Sequence, residues 1–456
     1  MGKIRTTSCG EIVGTTCQWD GVEAYKGIRY ATAGRWEYPA LVTSWEGTYE
    51  AVSYGACCYQ PRAFTDERNS CKAFYYNEFR KDEHYDYSED CLFLNIWTRE
   101  KAEPGDKLPV IVYIHGGGYT GGCGHEKHFD GPVWPTLQGG AVAVTINYRL
   151  GPLGFLCLPE LKEEAGFSGN YGLYDQVMAL NWIKKNIDAF GGDPENITVF
   201  GQSAGAMSIQ QLCMSPITKG LFQKAVMSSG CMATSFMKNG ILEKRYEFWQ
   251  QVMKKVGASN LNEFRNTDVK ILFEALDEAK KELKPGMVES PVIDGKLIVM
   301  DAVDACKNGL MHDIPYIVGM NAEDIFPPIL DGGNKKWSKA MAAKNNKAYR
   351  YFFDRDLPGD ENGTWHSADL WYWFGTLNNC WRPFEEKDRA LSTEFANRLV
   401  SFAKTSDPNC SGYTTWKDAG ASGKDVLMLG ECYASMGHTS TISLVKTMLT
   451  NKSVGE

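Results

Sequence analysis

Short apolar runs recur along the chain, and each is bounded by glycine, proline or polar turn residues. The clearest are LPVIVYIHG (108–116), GAVAVTINY (140–148), NITVFG (196–201), KAVMSSG (224–230), IPYIVGM (314–320) and DVLML (425–429). Continuous runs of this kind, rich in Val and Ile, are typical of strands buried on both faces of a parallel sheet. The chain is therefore predicted to build a mostly parallel sheet that needs cover on both faces.

Helical patterns between these runs predict the cover. Apolar residues recur at steps of three and four over 171–190, 241–256 and 388–405. Strands alternating with helices indicate an α/β fold with a mostly parallel central sheet covered by helices on both faces. Residues 234–290 show helical patterns without a strand signal, which predicts a helical cap region beside the sheet. The polar, lysine-rich stretch 330–350 is interpreted as a solvated surface segment.

Composition excludes several classes of partner. The 456 residues carry a net charge of −8 and no Lys/Arg block, so neither a nucleic acid nor an anionic membrane is an expected partner. No run approaches the roughly 18 consecutive apolar residues of a membrane span. The N-terminal residues show no apolar signal segment, and we expect a cytoplasmic protein. Since no repeat or flexible linker divides the chain, we expect a single domain over residues 1–456; the oligomeric state stays open.

The seven residues FGQSAGA (200–206) raise the question of a nucleophile. Ser203 lies between Gly201 and Gly205, directly after the predicted strand at 196–201 and before a helical stretch. A strand, the pattern G-x-S-x-G and a helix together form a nucleophile elbow, which exposes the serine at the carboxyl end of the sheet. The alternative is a bystander serine in a glycine-rich turn. The flanking strand and helix favour the nucleophile.

A glycine triplet follows another predicted strand. HGGGYTGG (115–122) comes directly after the strand that ends at 114. Consecutive glycines free backbone N–H groups to bind an oxyanion, as in the esterase oxyanion hole. A flexible loop is the bland alternative, and a phosphate-binding P-loop would need a lysine that does not follow here.

These motifs, with several others in the same order, resemble the type-B carboxylesterase/cholinesterase family of the α/β-hydrolase fold. The resemblance covers most of the chain and is densest over 88–230. It rests on SEDCLFLNIW (88–97), HGGGYTGG, NYRLGPLGFL (147–156), GNYGLYDQVMALNWIKKNI (169–187) and FGGDPENITVFGQSAGA (190–206). The resemblance implies a serine carboxylesterase with Ser203 as nucleophile and the N–H groups of Gly117, Gly118 and Ala204 as the oxyanion hole.

The base should follow the serine, because triads of this fold run Ser, acid, His along the chain. Three histidines lie downstream of Ser203: His312, His366 and His438. The segment GTWHSADLWYWFG around His366 resembles the histidine loop of the family. His312 precedes a strand and should lie at the wrong end of the sheet, and His438 is expected at the surface. We therefore expect Nε2 of His366 within hydrogen-bond reach of Ser203 Oγ.

The family resemblance also locates the acid, five residues after a glycine that follows a strand. Here Gly319 precedes Asp324 by five residues. The sequence departs from the family pattern, since Asp replaces the commoner Glu and Ile325 replaces a glycine, so Glu323 remains a competitor. The resemblance also suggests a disulfide that brackets the segment between Cys71 and Cys91, which reducing surroundings would leave as two thiols.

We expect no metal and no cofactor. The fourteen cysteines are scattered without C-x-x-C spacing, and buried free thiols are the default. His125-Glu126-Lys127-His128 lacks the H-E-x-x-H spacing that places two ligands on one helix face.

Large aromatic residues crowd the segment around His366, and some are expected to line an apolar pocket for the ester; they are Trp365, Trp371, Tyr372, Trp373, Phe374 and Trp381. The predicted partner is a small, uncharged carboxylic ester. A lipase or a feruloyl-type esterase would use the same triad, and a non-catalytic, cholinesterase-like adhesion protein is a further alternative from another class. Such adhesion proteins lack the serine and carry a membrane anchor, neither of which fits this sequence.

Overall fold

A computed structural model describes residues 2–70, 72–232, 240–430 and 434–450. The strands within these ranges are β1 (Ile4–Thr7), β2 (Gly10–Val13), β3 (Thr15–Thr16), β4 (Val22–Arg29), β5 (Ala31–Thr32), β6 (Ala40–Leu41), β7 (Tyr49–Glu50), β8 (Cys57–Cys58), β9 (Tyr87–Ser88), β10 (Phe93–Arg99), β11 (Leu108–Ile114), β12 (Val142–Ile146), β13 (Gly192–Gln202), β14 (Lys224–Ser228), β15 (Tyr316–Asn321), β16 (Ala348–Phe353), β17 (Val426–Leu429) and β18 (Ser435–Gly437). The α-helices are α1 (Ala73–Phe79), α2 (Gly151–Phe155), α3 (Pro159–Ala165), α4 (Tyr171–Asn186), α5 (Ala204–Leu212), α6 (Leu242–Lys255), α7 (Leu261–Arg265), α8 (Val269–Leu283), α9 (Ala302–Lys307), α10 (Pro327–Ala342), α11 (Leu370–Phe374), α12 (Glu386–Thr405) and α13 (Thr441–Thr450).

One large sheet organises the chain. Its eleven strands run in the order β18-β17-β16-β15-β14-β13-β11-β12-β10-β4-β3. The strands from β17 through β12 in this order are parallel to their neighbours, while β18, β10, β4 and β3 pair antiparallel at the two ends. The prediction of a mostly parallel sheet is confirmed, and the six apolar runs form β11, β12, β13, β14, β15 and β17.

Both faces of the sheet are buried, as the unbroken apolar runs require. Along β11, the side chains of Val110, Val112 and Ile114 belong to one hydrophobic core. The alternate side chains, Ile111 and Tyr113, belong to the second core on the opposite face. Successive strand residues point to opposite faces, so a strand needs apolar residues at every position when both faces are covered.

The predicted helices cover these faces. The patterns at 171–190, 241–256 and 388–405 correspond to α4, α6 and α12. The region expected to form a cap contains α6, α7 and α8, although residues 233–239 lie outside the described residues. Trp249 and Leu276, from α6 and α8, are buried in the first core. Among the described helices, none combines the length and the apolar character needed to cross a membrane.

The interpretation of residues 330–350 as a solvated surface segment is wrong. Helix α10 covers most of this stretch, and strand β16 begins at Ala348. Leu330, Trp337 and Met341 are fully buried at spacings of seven and four, which places them on one face of the helix. Because several lysines lie between these residues, the composition of the stretch indicates a polar segment and does not reveal the apolar face of the helix.

Candidate active site

Ser203 lies at the turn between β13 and α5, in a strained backbone conformation. Its φ of 56° and ψ of −126° place a residue with a side chain in a region that favours glycine. The neighbouring strand holds this geometry, since the Ser203 N–H donates to the carbonyl oxygen of Ser228 at 2.9 Å. The strain turns the serine side chain out of the sheet edge, where it is half-buried.

The two glycines of the motif are required by close packing at this turn. A Cβ on Gly205 would lie 2.0 Å from the carbonyl oxygen of Ile114, the last residue of β11. A Cβ on Gly201 would lie 2.6 Å from the carbonyl carbon of Gly205. Helix α5 can therefore start directly against the sheet only because both positions lack a side chain.

The glycine triplet lies beside Ser203 at the end of β11. Gly117 and Gly118 have φ values of 106° and 63°, so both occupy the left-handed region. The N–H groups of both residues donate no hydrogen bond to other described residues. Ala204 is the first residue of α5, where a backbone N–H has no partner within the helix. These N–H groups are available to an anionic oxygen near Ser203.

His366 and Asp324 are joined by a buried hydrogen bond. Nδ1 of His366 donates a short hydrogen bond to Oδ1 of Asp324, and the carboxylate side chain is fully buried. Two backbone N–H groups hold that carboxylate: Ile325 donates to Oδ1 at 2.8 Å and Asn321 to Oδ2 at 3.1 Å. The orientation of the imidazole is thus fixed from the strand end of β15.

The competing residues lie elsewhere. The carboxylate of Glu323 lies against Gly363, where an added Cβ would be 2.0 Å from Oε2. Nε2 of His312 donates to the carbonyl oxygen of Ser215 at 3.0 Å, and His312 precedes the start of β15. His438 is exposed, with 66% of its side chain accessible. The structure therefore brings Asp324 and His366 together and leaves the other three apart.

The expected hydrogen bond between His366 and Ser203 is not formed. Nε2 of His366 instead lies 3.1 Å from the amide nitrogen of Gln202. An amide nitrogen only donates, so Nε2 accepts this bond and the imidazole proton sits on Nδ1. Gln202 was not predicted as a site residue; it is the last residue of β13 and directly precedes Ser203. Nε2 of His366 therefore carries the lone pair that a base needs, and this lone pair accepts a hydrogen bond from the Gln202 amide.

Ser203 and His366 share one cavity of about 350 Å³. The glycine triplet forms part of its wall, together with Tyr75, Ile325 and Leu370. The aromatic residues around His366 do not line this cavity, so the expectation that some of them form an apolar ester pocket is wrong. The first five of those residues are buried in the second core, and Trp381 is 53% exposed; the five are Trp365, Trp371, Tyr372, Trp373 and Phe374. Trp373 packs against Phe200 of β13 and Phe395 of α12, whereas Trp365 packs against Phe79 of α1, so these rings support the histidine loop from within the core.

The far wall of the cavity carries paired charges. Glu126 receives a hydrogen bond from Arg62 at 2.6 Å and lies 3.5 Å from Arg80, which also pairs with Glu67 at 2.9 Å. Although burial raises it, the two guanidinium groups lower the pKa of Glu126 to about 2. His128 is buried beside them, and burial lowers its pKa to about 3. These two cations and two carboxylates compensate one another, and Lys72, which also lines the cavity, is exposed to solvent.

A second buried carboxylate supports the histidine loop and was missed from the sequence. Asp369 accepts hydrogen bonds from Ser228 Oγ at 2.9 Å and Tyr351 Oη at 2.7 Å. Asn321 links it to the loop by donating to Asp369 at 3.3 Å and to the carbonyl oxygen of Trp365 at 2.8 Å. The partners come from three strands far apart in the chain, so no local pattern signals this network.

The suggested disulfide partner Cys71 lies outside the described residues. Cys91 is a buried free thiol that contacts Cys58.

Comparison with known proteins agrees with this architecture. The sequence profile of the carboxylesterase family matches residues 2–335 and 328–441. Para-nitrobenzyl esterase of Bacillus subtilis (strain 168) is 37% identical over 466 aligned residues, which cover 89% of this chain and 91% of the relative. Fumonisin B1 esterase of Sphingopyxis macrogoltabida is 31% identical over 79% of this chain and 62% of the relative.

Solved structures extend the similarity to the fold. A PNB esterase structure superposes with a TM-score of 0.82 at 26% identity, covering 98% of this chain and 99% of the other. An esterase from the anaerobe Clostridium hathewayi, described as hydrolysing aliphatic aromatic polyesters, gives a TM-score of 0.81 at 25% identity over 98% of both chains. The α/β-hydrolase architecture expected from the sequence is that of these esterases, and the chain belongs to the carboxylesterase family of ester hydrolases.

Proposed function

We propose that the protein hydrolyses carboxylic esters through a Ser203–His366–Asp324 triad and an acyl-enzyme intermediate. The observation that carries this proposal is the shared cavity, which exposes Ser203 in its strained turn to His366, whose other ring nitrogen is held by Asp324. A serine hydroxyl is a weak nucleophile until a positioned base takes its proton. The imidazole has its proton on Nδ1, which leaves Nε2 as the base.

The reaction requires one local rearrangement. The Gln202 amide must release Nε2 of His366 so that the ring can accept the proton of Ser203 Oγ. Catalytic hydrogen bonds are often loose without substrate and tighten in the complex, and Gln202 and Ser203 are adjacent in the chain. As Oγ bonds to the ester carbonyl carbon, Nε2 takes its proton and Asp324 stabilises the imidazolium. The imidazolium then protonates the leaving alcohol, and the carbon–oxygen bond to that alcohol breaks.

Water completes the cycle by the same route. Nε2 removes a proton from water as its oxygen attacks the acyl carbon, and Ser203 leaves with that proton while the carboxylic acid is released. Both tetrahedral intermediates place a negative charge on the former carbonyl oxygen. We assign its stabilisation to the N–H groups of Gly117, Gly118 and Ala204. In such sites the loss of one donor costs about 10²–10³ in rate.

Uncharged esters fit the cavity best. The buried charged groups in its wall are paired with one another, and the Lys72 side chain is exposed to water, so neither creates a demand for a charged substrate. Burying a charged ester there without a partner of its own would be unfavourable. Related proteins are named for a para-nitrobenzyl ester and for fumonisin B1. The cavity volume of about 350 Å³ suits small to medium esters.

A panel of esters tests this proposal. The panel combines p-nitrophenyl esters of increasing acyl length, a hydroxycinnamoyl ester, a triglyceride emulsion and an ester bearing a free carboxylate. We expect hydrolysis of the short uncharged esters, and loss of that activity in Ser203→Ala. A preference for the emulsion or for the hydroxycinnamoyl ester would replace the general carboxylesterase with a lipase or a feruloyl-type esterase. Hydrolysis by Ser203→Ala at the wild-type rate, or no hydrolysis at all, would overturn the proposal.

A further inference from the structure

A cluster of two cysteines and a histidine involves the segment that directly follows HGGGYTGG (115–122). Cys57 Sγ, Cys123 Sγ and a ring nitrogen of His125 all lie within 4.8 Å of one another. The two cysteines are at most 1% exposed, and none of the three residues lines the cavity beside Ser203. This cluster is therefore separate from the proposed triad, and it has no part in ester hydrolysis as derived above.

The spacing matches the edge of a zinc coordination tetrahedron. Sγ of Cys57 and Nε2 of His125 are 3.6 Å apart. Zinc binds Cys sulfur at about 2.3 Å and His nitrogen at about 2.0–2.1 Å, so a tetrahedral angle separates those two ligand atoms by about 3.6 Å. The soft sulfur donors and the imidazole also favour zinc over magnesium or calcium, which prefer oxygen ligands.

The ligands are held in place before any metal binds. The ring of His125 stacks on Tyr54 with ring centroids 4.4 Å apart and planes within 8° of parallel. Gln60 joins the two ligand segments, because its amide accepts from the N–H of Gly122 at 2.9 Å and donates to the carbonyl oxygen of that residue at 3.1 Å. Cys57 itself is fixed by the pairing of β8 with β9.

Unpartnered polar groups surround the cluster. The hydroxyl of Tyr85 is buried without a hydrogen bond, and its ring lies 5.6 Å from that of His125. Nε and Nη2 of Arg62 are also buried without a hydrogen-bond partner, and the guanidinium is close enough to Cys57 and Cys123 to be attracted to them when they are thiolates. Buried polar groups normally find partners. Metal-bound thiolates would accept from Arg62, and Tyr85 could hold a water in the fourth coordination position.

The charges also balance. Two thiolates neutralise the two positive charges of zinc, while the charge of Arg62 is already compensated by Glu126. We propose that Cys57, Cys123 and His125 bind one zinc ion, which fastens the loop after the glycine triplet to strand β8. The sequence motifs predicted no metal because C-x-x-C and H-E-x-x-H place their ligands close together in the chain, whereas Cys57 and Cys123 belong to segments far apart.

Metal content tests the site directly. The protein is purified with reductant and without chelator, equilibrated with zinc, desalted and analysed by inductively coupled plasma mass spectrometry. We expect one zinc per chain in the wild type and almost none in Cys57→Ser or Cys123→Ser. Cys157→Ser is the matched control, because Cys157 is equally buried but lies outside the cluster, and it should retain the full zinc content.

A second measurement on the wild type guards against variants that fail to fold. Cobalt substitution should give the intense visible bands of tetrahedral cobalt and a sulfur-to-cobalt charge-transfer band, both removed by added zinc. The proposal is overturned if the zinc-equilibrated wild type holds no zinc, or if the two cluster variants hold as much as the wild type. A disulfide between Cys57 and Cys123 in non-reduced peptide maps of protein alkylated at cell lysis, before reductant is added, would equally contradict it. None of these outcomes depends on esterase activity, so they are distinct from failure of the proposed triad.

Discussion

Replacing Asp324 by Asn tests how the imidazole of His366 is oriented. Asn has nearly the same shape as Asp, so the fold should persist. The hydrogen bonds of the carboxylate cannot all be kept. Oδ1 of Asp324 accepts from His366 Nδ1 and from the Ile325 N–H, and Oδ2 accepts from the Asn321 N–H. An amide offers one oxygen and one NH₂ group. In either orientation, an NH₂ group therefore faces at least one donor that the carboxylate satisfied.

The orientation that damages catalysis is the one with NH₂ toward the ring. It forces the imidazole proton onto Nε2, which removes the lone pair that should take the proton of Ser203. The other orientation leaves the Asn321 N–H unpaired at a cost of about 1–3 kcal/mol, and it still removes the charge that stabilises the imidazolium. A triad carboxylate replaced by its amide lowers kcat about 10⁴-fold, which corresponds to about 5 kcal/mol of transition-state stabilisation.

The assay is kcat and KM of Asp324→Asn on a short p-nitrophenyl ester at neutral pH. We expect the loss in kcat with KM little changed, and a free energy of unfolding in urea about 1–3 kcal/mol below that of the wild type, because one backbone N–H loses its acceptor. Glu323→Gln is the matched control, since it removes the neighbouring carboxylate, and it should keep nearly full activity. Retention of most activity in Asp324→Asn, or an equal loss in Glu323→Gln, would refute the assignment of the acid.

The remaining predictions concern pH and packing. Burial lowers the pKa of His128 to about 3, from an ordinary value of about 6.5, so the unfolded chain gains a proton first and stability falls as pH drops through this window. Between about pH 8 and about pH 5, the free energy of unfolding in urea should fall by about 2 kcal/mol less for His128→Phe than for the wild type. An equal fall in the two proteins would contradict this linkage. Gly205→Ala should abolish activity or folding, because its Cβ would lie 2.0 Å from a backbone oxygen. The control Gly332→Ala in α10 should be tolerated, since no atom lies within 4 Å of its Cβ. Wild-type expression and turnover of Gly205→Ala would contradict the close packing described for the turn at Ser203.

The central part of the sheet could be predicted because its strands are buried on both faces. Such strands carry apolar residues at almost every position, which makes them visible without knowledge of their neighbours. Strand β16 escaped prediction because Arg350 interrupts its apolar run, and the charge of that residue is compensated by Asp331 of α10. Strands β4 and β10 lie near the antiparallel end of the sheet and mix polar with apolar residues.

The predicted site residues are those that local motifs position. Ser203 and the glycine triplet follow buried strands directly, so the sequence places them at the same edge of the sheet. The environment of that site depends on contacts between distant segments, and these left no local signal. Gln202 meets His366 across 164 positions, and Arg62 meets Glu126 across 64. The aromatic residues near His366 misled for the same reason, since composition does not show which face of the loop they occupy.

Covalent labelling of Ser203 tests the central claim most directly. An organophosphate that mimics the ester is reacted with the wild type, and peptide mass spectrometry locates the adduct. The account predicts one adduct per chain, on Ser203, formed in step with the loss of esterase activity. Ser203→Ala should fold, take no label and show no turnover. An adduct on another residue, or full inactivation without modification of Ser203, would contradict the assignment of the nucleophile.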